Sequence, residues 1–378
     1  MSVMASRPLL RWVVPAGVVA VVLGGGAITT ALTASADAQL PARSTAQLLV
    51  DLATARLDGV SGTVVERADL GLPSLPSGVG GDGSADLNSL ISGSHTLRVW
   101  YSGQDKARIA LLGTVSETDV VYNGTDGYVW SSTSNTATHY KAPSGSTDKR
   151  PRALPSGLPS DLPMTPQQAA DKLLAAVSPT TSVTSDGSTV VAGHPAYQLV
   201  VEPKDKASLV ASVRVAIDGT AHVPTRVQVY AKGHEDKPAF EIGFTQVSFS
   251  RPDNGVFTFS PPPGVKITEA DKGNGAPSGD KTEGQPKTAQ IGKGWTTVLV
   301  AKLPADTSTP DKSDQRGQAQ ADAFLNRLPQ VHTAAGTGRM LESRLFSALL
   351  LDDGRVLIGA VTPDRLIAAA ADPAAALK

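Results

Sequence analysis

An apolar rhythm of period two runs through the middle third of the chain and constrains the fold more than any other feature. Val213, Val215 and Ile217 alternate with polar or small neighbours. Val227 and Val229 follow, then Phe240, Ile242 and Phe244, then Val247 and Phe249, with turn-forming residues between the sets. Successive side chains of a strand point to opposite faces, so the pattern calls for a sheet with one apolar and one wetted face. Earlier in the chain, strand-like segments recur at Gly62–Glu66, Thr96–Tyr101, Lys106–Leu112, Thr118–Asn123 and Gly127–Ser131, with Ser102-Gly103 and Asn123-Gly124 as hairpin turns. Further hairpins are expected over residues 188–202, 212–231 and 239–250.

Helices flank these strands. Ser44-Thr-Ala-Gln47 forms a capping box, and Leu48, Leu49, Leu52 and Leu57 follow at helical spacing toward a stop at Asp58-Gly59. Thr165-Pro166-Gln167-Gln168 is a second box, leading into Ala169, Ala170, Leu173, Leu174 and Val177. A sheet with one apolar face and only two or three helices to cover it wraps them against its concave side. The expected fold is mainly β, within the α+β class: an incomplete antiparallel β-barrel with a helical lid, plus an N-terminal hydrophobic helix and a small C-terminal α+β domain.

Four regions follow. In residues 1–38, Arg7 and Arg11 precede an uncharged run from Trp12 to Ala36, long enough to cross roughly 30 Å of hydrocarbon. Positive residues ahead of it place the rest of the chain on the extracytoplasmic side. Ala34-Ser35-Ala36 and Ala36-Asp37-Ala38 suit signal peptidase, so the segment reads either as a signal peptide or as a transmembrane anchor. The protein is accordingly expected to be exported, and then membrane-anchored through its N-terminus or secreted after cleavage. Residues 39–269 form the half-barrel domain, and 270–292, rich in Gly, Pro, Lys, Asp and Thr, a linker. Residues 293–378 form the small domain, with strand-like Trp295–Val300, Leu345–Leu351 and Arg355–Val361, a hairpin turn at Asp352-Asp353-Gly354, and helices at Asp322–Leu328 and Pro363–Ala371.

Charge and motif content narrow the function. Lys+Arg 34 against Asp+Glu 35 provide no field that would draw nucleic acid. The chain has no cysteine, which removes disulfides, thiolate metal sites, Cys nucleophiles and a lipid-modified N-terminal Cys. Its six histidines show no paired metal spacing, and neither a nucleophile elbow nor a phosphate loop is present. The reading is a binding protein, not an enzyme, with no catalytic residue, metal or cofactor. The apolar strand face supplies the ligand-cavity candidates Val99, Tyr101, Val213, Val215, Ile217, Val227, Val229, Ile242 and Phe244. Leu70, Leu72 and Leu75, apolar within a Gly/Pro/Ser-rich stretch, are candidates for a flap over a ligand or partner. Alternating Val, Ile and Phe is equally what a filled core requires; only an under-filled interior makes it a cavity.

A set of short motifs carries a family resemblance. They are Leu57-Asp-Gly-Val-Ser-Gly-Thr-Val-Val65, Asn123-Gly-Thr-Asp-Gly-Tyr-Val-Trp130, Gly193-His-Pro-Ala-Tyr-Gln-Leu-Val200, Ile217-Asp-Gly-Thr, Val223-Pro-Thr-Arg226 and Phe257-Thr-Phe-Ser-Pro-Pro-Pro-Gly-Val265. In this order they resemble the periplasmic lipoprotein carriers of the LolA type and the large domain of the RseB regulator of envelope stress. The resemblance spans about Ser44 to Ile267. It implies a half-open antiparallel barrel whose apolar cavity accommodates the acyl chain of a lipid or lipoprotein. RseB-like proteins add a smaller C-terminal domain that contacts a membrane-bound anti-sigma factor, which implies for this chain the alternative of an envelope sensor docking on a membrane protein partner.

Overall fold

The computed structural model describes residues 40–72, 87–103, 105–124, 126–141, 179–270, 288–302 and 323–377. The hydrophobic N-terminal run, the capping box at Thr165 and Leu75 lie outside them. Among the described residues no helix is long and apolar enough to cross a membrane.

Helix α1 (Thr45–Thr54) starts as its capping box dictates: the Gln47 amide donates to Ser44 Oγ at 3.2 Å, and the Ser44 amide to Gln47 Oε1 at 2.9 Å. It ends at Thr54, short of the expected Asp58. Twelve strands follow: β1 (Gly59–Ala68), β2 (Gly93–Ser102), β3 (Lys106–Leu112), β4 (Glu117–Asn123), β5 (Asp126–Ser131), β6 (Thr136–Lys141), β7 (Thr181–Val191), β8 (His194–Pro203), β9 (Val210–Asp218), β10 (Pro224–Ala231), β11 (Phe240–Ser248) and β12 (Lys266–Glu269). They form one sheet in the order β12-β6-β5-β4-β3-β2-β1-β11-β10-β9-β8-β7. Two meanders, β1–β6 and β7–β11, are thus joined by the pairing of β1 with β11. Tight turns set the local register: Ala192 and Gly193, with φ of 50° and 82°, form the left-handed pair a two-residue hairpin loop needs between β7 and β8.

The sheet is open and not closed into a barrel, with its edge strands β12 and β7 at opposite ends of the order. One expectation is corrected: the pairing is not wholly antiparallel, because β12 runs parallel to β6, from Lys266 beside Thr136 to Glu269 beside His139. The physical reason lies in the neighbours of β11 and in the Pro-rich run before β12. Strand β11 is already paired on both sides, with β1 and β10, and Pro261 to Pro263 offer no amide for a ladder, so the chain crosses the sheet to reach the free edge of β6.

That crossing stretch is also a lid. Phe257, fully buried in the 3₁₀ turn Asn254–Phe257, lies over β3 and β4, and Phe259 stacks on Tyr128 at 4.7 Å. Arg108 donates to the Val256 carbonyl and pairs with Asp119 beneath. On the other face, at the opposite end of the sheet, α1 packs on β7 and β8 with Leu48 1% exposed.

A second, six-stranded antiparallel sheet comprises β13 (Thr288–Ile291), β14 (Val298–Lys302), β15 (Gln330–Thr333), β16 (Gly336–Glu342), β17 (Ser347–Leu351) and β18 (Arg355–Gly359), in the order β13-β14-β18-β17-β16-β15. Helix α2 (Pro363–Ala370) buries Leu366 against Val300, Leu349 and Leu357 on one face. The turn at Asp352-Asp353-Gly354 forms as expected, whereas β13, β15 and β16 carry too few large apolar residues to have been read as strands.

Hydrogen bonds at three places tie the sheets together. The Leu209 amide donates to Ala360 and the Thr362 amide to Ala207, Trp295 Nε1 donates to Thr181 Oγ1 at 2.9 Å, and the Arg344 amide donates to Leu70 at 2.7 Å. Arg344 and Lys237 both pair with Asp69, and their hydrogen bonds, Lys237 first, hold its carboxyl below the ordinary range.

Because Leu48 is sealed between α1 and the sheet, Leu48→Ala should destabilise the protein by about 2–5 kcal/mol. Loss of the cap in Ser44→Ala should cost about 0.5–2 kcal/mol. Urea unfolding followed by circular dichroism checks both magnitudes and their order.

Candidate ligand-binding face

Cross-strand register sorts the residues of β2 to β6 into rows. On the face shared with α1, the first row is Leu97, Leu111, Thr118 and Ser131; the second is Val99, Ile109, Val120 and Val129; the third is Tyr101, Ala107, Tyr122, Gly127 and Tyr140. Burial falls from row to row. Leu97 and Leu111 are sealed beneath Leu90 of the 3₁₀ turn Leu87–Ile91. Ile109, Val120 and Val129 are half-buried, and Tyr122 and Tyr140 are 36% and 44% exposed. The face is apolar, and it opens progressively toward one end of the strands.

Toward β7 the same face is closed. Val99, Val215, Ile217, Val227, Ile242 and Phe244 share one buried cluster with Leu48, and Val213 packs half-buried against it. Val229 and Tyr101 are half-buried. The cavity candidates therefore do gather on one face, but on the β8–β11 side the leucines of α1 fill the space over them. The open part lies over β3 to β6, and of the candidates Tyr101 and Val99 border it. Leu70 and Leu72 are half-buried at the root of the expected flap, with the Leu70 carbonyl held by Arg344.

Ile109, Val120 and Val129 escape the period-two reading because β3 to β5 bury apolar residues in both phases. Ala110, Val121 and Ala137, one residue out of phase, are buried toward the Phe257 lid. Strands covered on both sides read as near-continuous apolar runs, and the alternation that marks a face is lost. Strand β6 itself, Thr-Ala-Thr-His-Tyr-Lys, has too little apolar content to stand out.

One ionisable pair sits within the apolar face. Glu66 lies between Ile242 and His95 in the cross-strand register, with its Oε2 2.9 Å from His95 Nδ1, and the two side chains are 3% and 1% exposed. Burial pushes the Glu66 carboxyl up to about 8, so at neutral pH it is held largely protonated, sharing a hydrogen bond with the His95 ring nitrogen. The signal was present in the sequence: Val64, Glu66 and Ala68 share one phase of β1.

The opposite face gathers the charges. Glu117 is pushed up by burial and then by the charge of Asp119. His139 stacks on Tyr128 at 4.5 Å and bonds Glu269 through Nδ1 and Asp126 through Nε2, each at 2.9 Å; the hydrogen bonds that the carboxylates of Glu269 and then Asp126 accept raise its pKa. This clasp pins β12 to β6 and leaves neither ring nitrogen for a metal. Among the described residues no group of His, Asp and Glu is arranged to hold a metal ion.

A family model described as a predicted periplasmic protein, DUF2092, matches residues 80–269. No curated protein sequence matches. Among solved structures, the chain is similar to one from the MucA/MucB complex of Pseudomonas aeruginosa, at 14% identity over 86% of this chain and 96% of that one, with a TM-score of 0.43. It is similar to the lipoprotein LppX of Mycobacterium tuberculosis at 12% identity, over 56% of this chain and 97% of that one, with a TM-score of 0.26. A LolA superfamily protein of Nitrosomonas europaea matches at 11% identity over 58% and 99%, with a TM-score of 0.19.

The folded Glu66 carboxyl, at about 8, lies above its ordinary value of 4.5, so its contribution to stability is whole below about pH 4.5 and is lost as pH rises through about 8. Urea midpoints of the unmodified protein should fall between pH 5 and pH 9. Glu66→Gln, which keeps the shape without the charge, should fall less, so that the two midpoints separate most at pH 9. Parallel curves would show that Glu66 does not titrate in this range.

Proposed function

The chain belongs to the family described as a predicted periplasmic protein, DUF2092, and from that premise we propose that it is an extracytoplasmic protein that holds the acyl chain of a lipid or lipoprotein on the apolar face of its large sheet. The observation that carries this reading is the run Ile109, Val120 and Val129, half-buried beyond Val99 at the edge of the Leu48 cluster, an uncharged strip on the face of β3 to β5. Residues 39–269 are the binding unit, Leu70 and Leu72 the root of its flap, and residues 1–38 its route to the membrane as signal or anchor. Binding needs no catalytic group. At about 0.8 kcal/mol per buried methylene, fourteen methylenes supply roughly 11 kcal/mol, which leaves micromolar affinity when the association cost is about 4 kcal/mol.

A second reading has its own observation. On the face of the second sheet away from α2, Leu299, Val356 and Ile358 line an apolar depression of about 220 Å³, with Ile358 39% exposed. It supports an envelope sensor, RseB-like, in which this small sheet docks on a membrane protein partner while the large sheet holds the lipid as signal.

Titration of the full chain with a fluorescent fatty-acid analogue tests the first reading. Saturable binding in the micromolar range is expected, weakened at least tenfold by Val120→Asp with the circular dichroism spectrum retained. An analogue that does not bind, or binds Val120→Asp equally well, would sink it.

A further inference from the structure

The third row of the open face has a chemistry of its own. Tyr101, Ala107, Tyr122, Gly127 and Tyr140 follow one another across five adjacent strands, so that tyrosines alternate with the smallest side chains. With neighbouring strands about 4.8 Å apart, successive tyrosines stand roughly 9–10 Å from each other. Gly127 lies between two of them with no side chain of its own, and a Cβ there would touch both, at 3.7 Å from Tyr140 Cβ and 3.9 Å from Tyr122 Cδ2. A tyrosine presents an apolar ring and a hydroxyl that both donates and accepts. The row therefore borders the apolar second row with surfaces that are greasy below and hydrogen-bonding at the tip.

Charge on this face is nearly absent. The strand phase that carries the row holds no Lys or Arg in β2 to β6; Arg98, Lys106, Arg108 and Lys141 all belong to the other phase. His95 shares the face but is buried against Glu66. Among the described residues the cation in phase is Lys266 on edge strand β12, which pairs with Thr136 and so stands four residues, roughly 13 Å, from the Tyr140 row, and Arg251, whose Nη2 would lie 4.0 Å from a Cβ on Gly103, approaches the Tyr101 end from the chain that crosses the opposite face. Burial and then the charge of Asp105 raise the Tyr101 hydroxyl, which stays protonated. A phosphate or carboxylate placed on the middle of this row would be stripped of water with no in-phase Lys or Arg of β2 to β6 to receive it.

We propose that Tyr101, Tyr122 and Tyr140 form a headgroup subsite for an uncharged, hydroxyl-bearing amphiphile of the glycolipid class, whose acyl chain lies on the Val99–Val129 row. This rests on the acyl-binding reading above and adds to it the class of headgroup. The rings pack against the apolar faces of sugar rings and the hydroxyls exchange hydrogen bonds with theirs, while Gly127 adds no side chain between Tyr122 and Tyr140 that would compete for this contact.

The test uses the full chain, kept soluble in amphipol and labelled with ring-¹³C tyrosine, titrated below their micelle concentrations with octyl glucoside, octyl phosphate and octanol. The chain has six tyrosines, so the spectrum is simple to assign by substitution. Octyl glucoside should shift the signals of Tyr101, Tyr122 and Tyr140 and bind at least tenfold more tightly than octyl phosphate. The exposed double variant Tyr122→Ala/Tyr140→Ala should lose about tenfold in glucoside affinity while octanol binding stays within twofold. Gly127→Ala, which adds one methyl at ordinary contact distances, should weaken the glucoside alone. Octyl phosphate binding as tightly as the glucoside, or a double variant that binds it unchanged, overturns the headgroup subsite and leaves the acyl reading standing. Failure of all three amphiphiles to bind overturns both.

Discussion

A sheet of twelve strands has two faces to keep from water, and the described chain outside the strands is short. The physical constraint that organises the large sheet is the division of this labour: α1 lies over the β7–β8 end on one face, and the Phe257–Phe259 stretch lies over β3 to β6 on the other. Each cover seals its own half. The second row over β3 to β5 is left half-covered, and the functional reading rests on that remainder.

The diagonal cover depends in turn on a long-range pairing. Strand β1 bonds both to β2, its successor in the meander, and to β11, more than 170 residues later. Gly62 permits this closeness, since a Cβ there would fall 2.4 Å from the Gln246 carbonyl and 2.8 Å from the Phe244 ring. Only when β11 is in place can residues 249–264 cross the first meander, seat Phe257 and deliver β12 to the edge of β6. The closing motif is thereby a tertiary device that completes a sheet built mostly from local hairpins. The clasp of His139 between Asp126 and Glu269 holds its end.

The second sheet is joined to the first at points relevant to binding. Arg344 bonds the Leu70 carbonyl and pairs with Asp69, so the small sheet grips the chain where it leaves β1 toward the expected flap. The loop after β8 is stitched to the chain between β18 and α2 through Leu209–Ala360 and Thr362–Ala207. A partner seated on the Leu299–Ile358 depression and a lipid on the large sheet would act on one connected frame, which gives the sensor reading a physical route.

How much of this was legible beforehand follows from how many residues away each signal lies. The sequence by itself determined what depends on neighbours a few positions apart. The capping box at Ser44 needed only Gln47, the hairpin turns only two or three residues, and the phase of Val213 to Phe244 only alternation, so the strands, α1 and the apolar face were readable. What required partners from distant strands was decided by the tertiary structure. The Glu66–His95 pair, the two-sided burial of β3 to β5, the parallel docking of β12 and the row of Tyr101, Tyr122 and Tyr140 exist only once register is set. A slip of one residue in any of those ladders would send the tyrosines to the charged face. Local chemistry therefore specified a sheet with a greasy side, and inter-strand register decided which residues on that side remain open to a ligand.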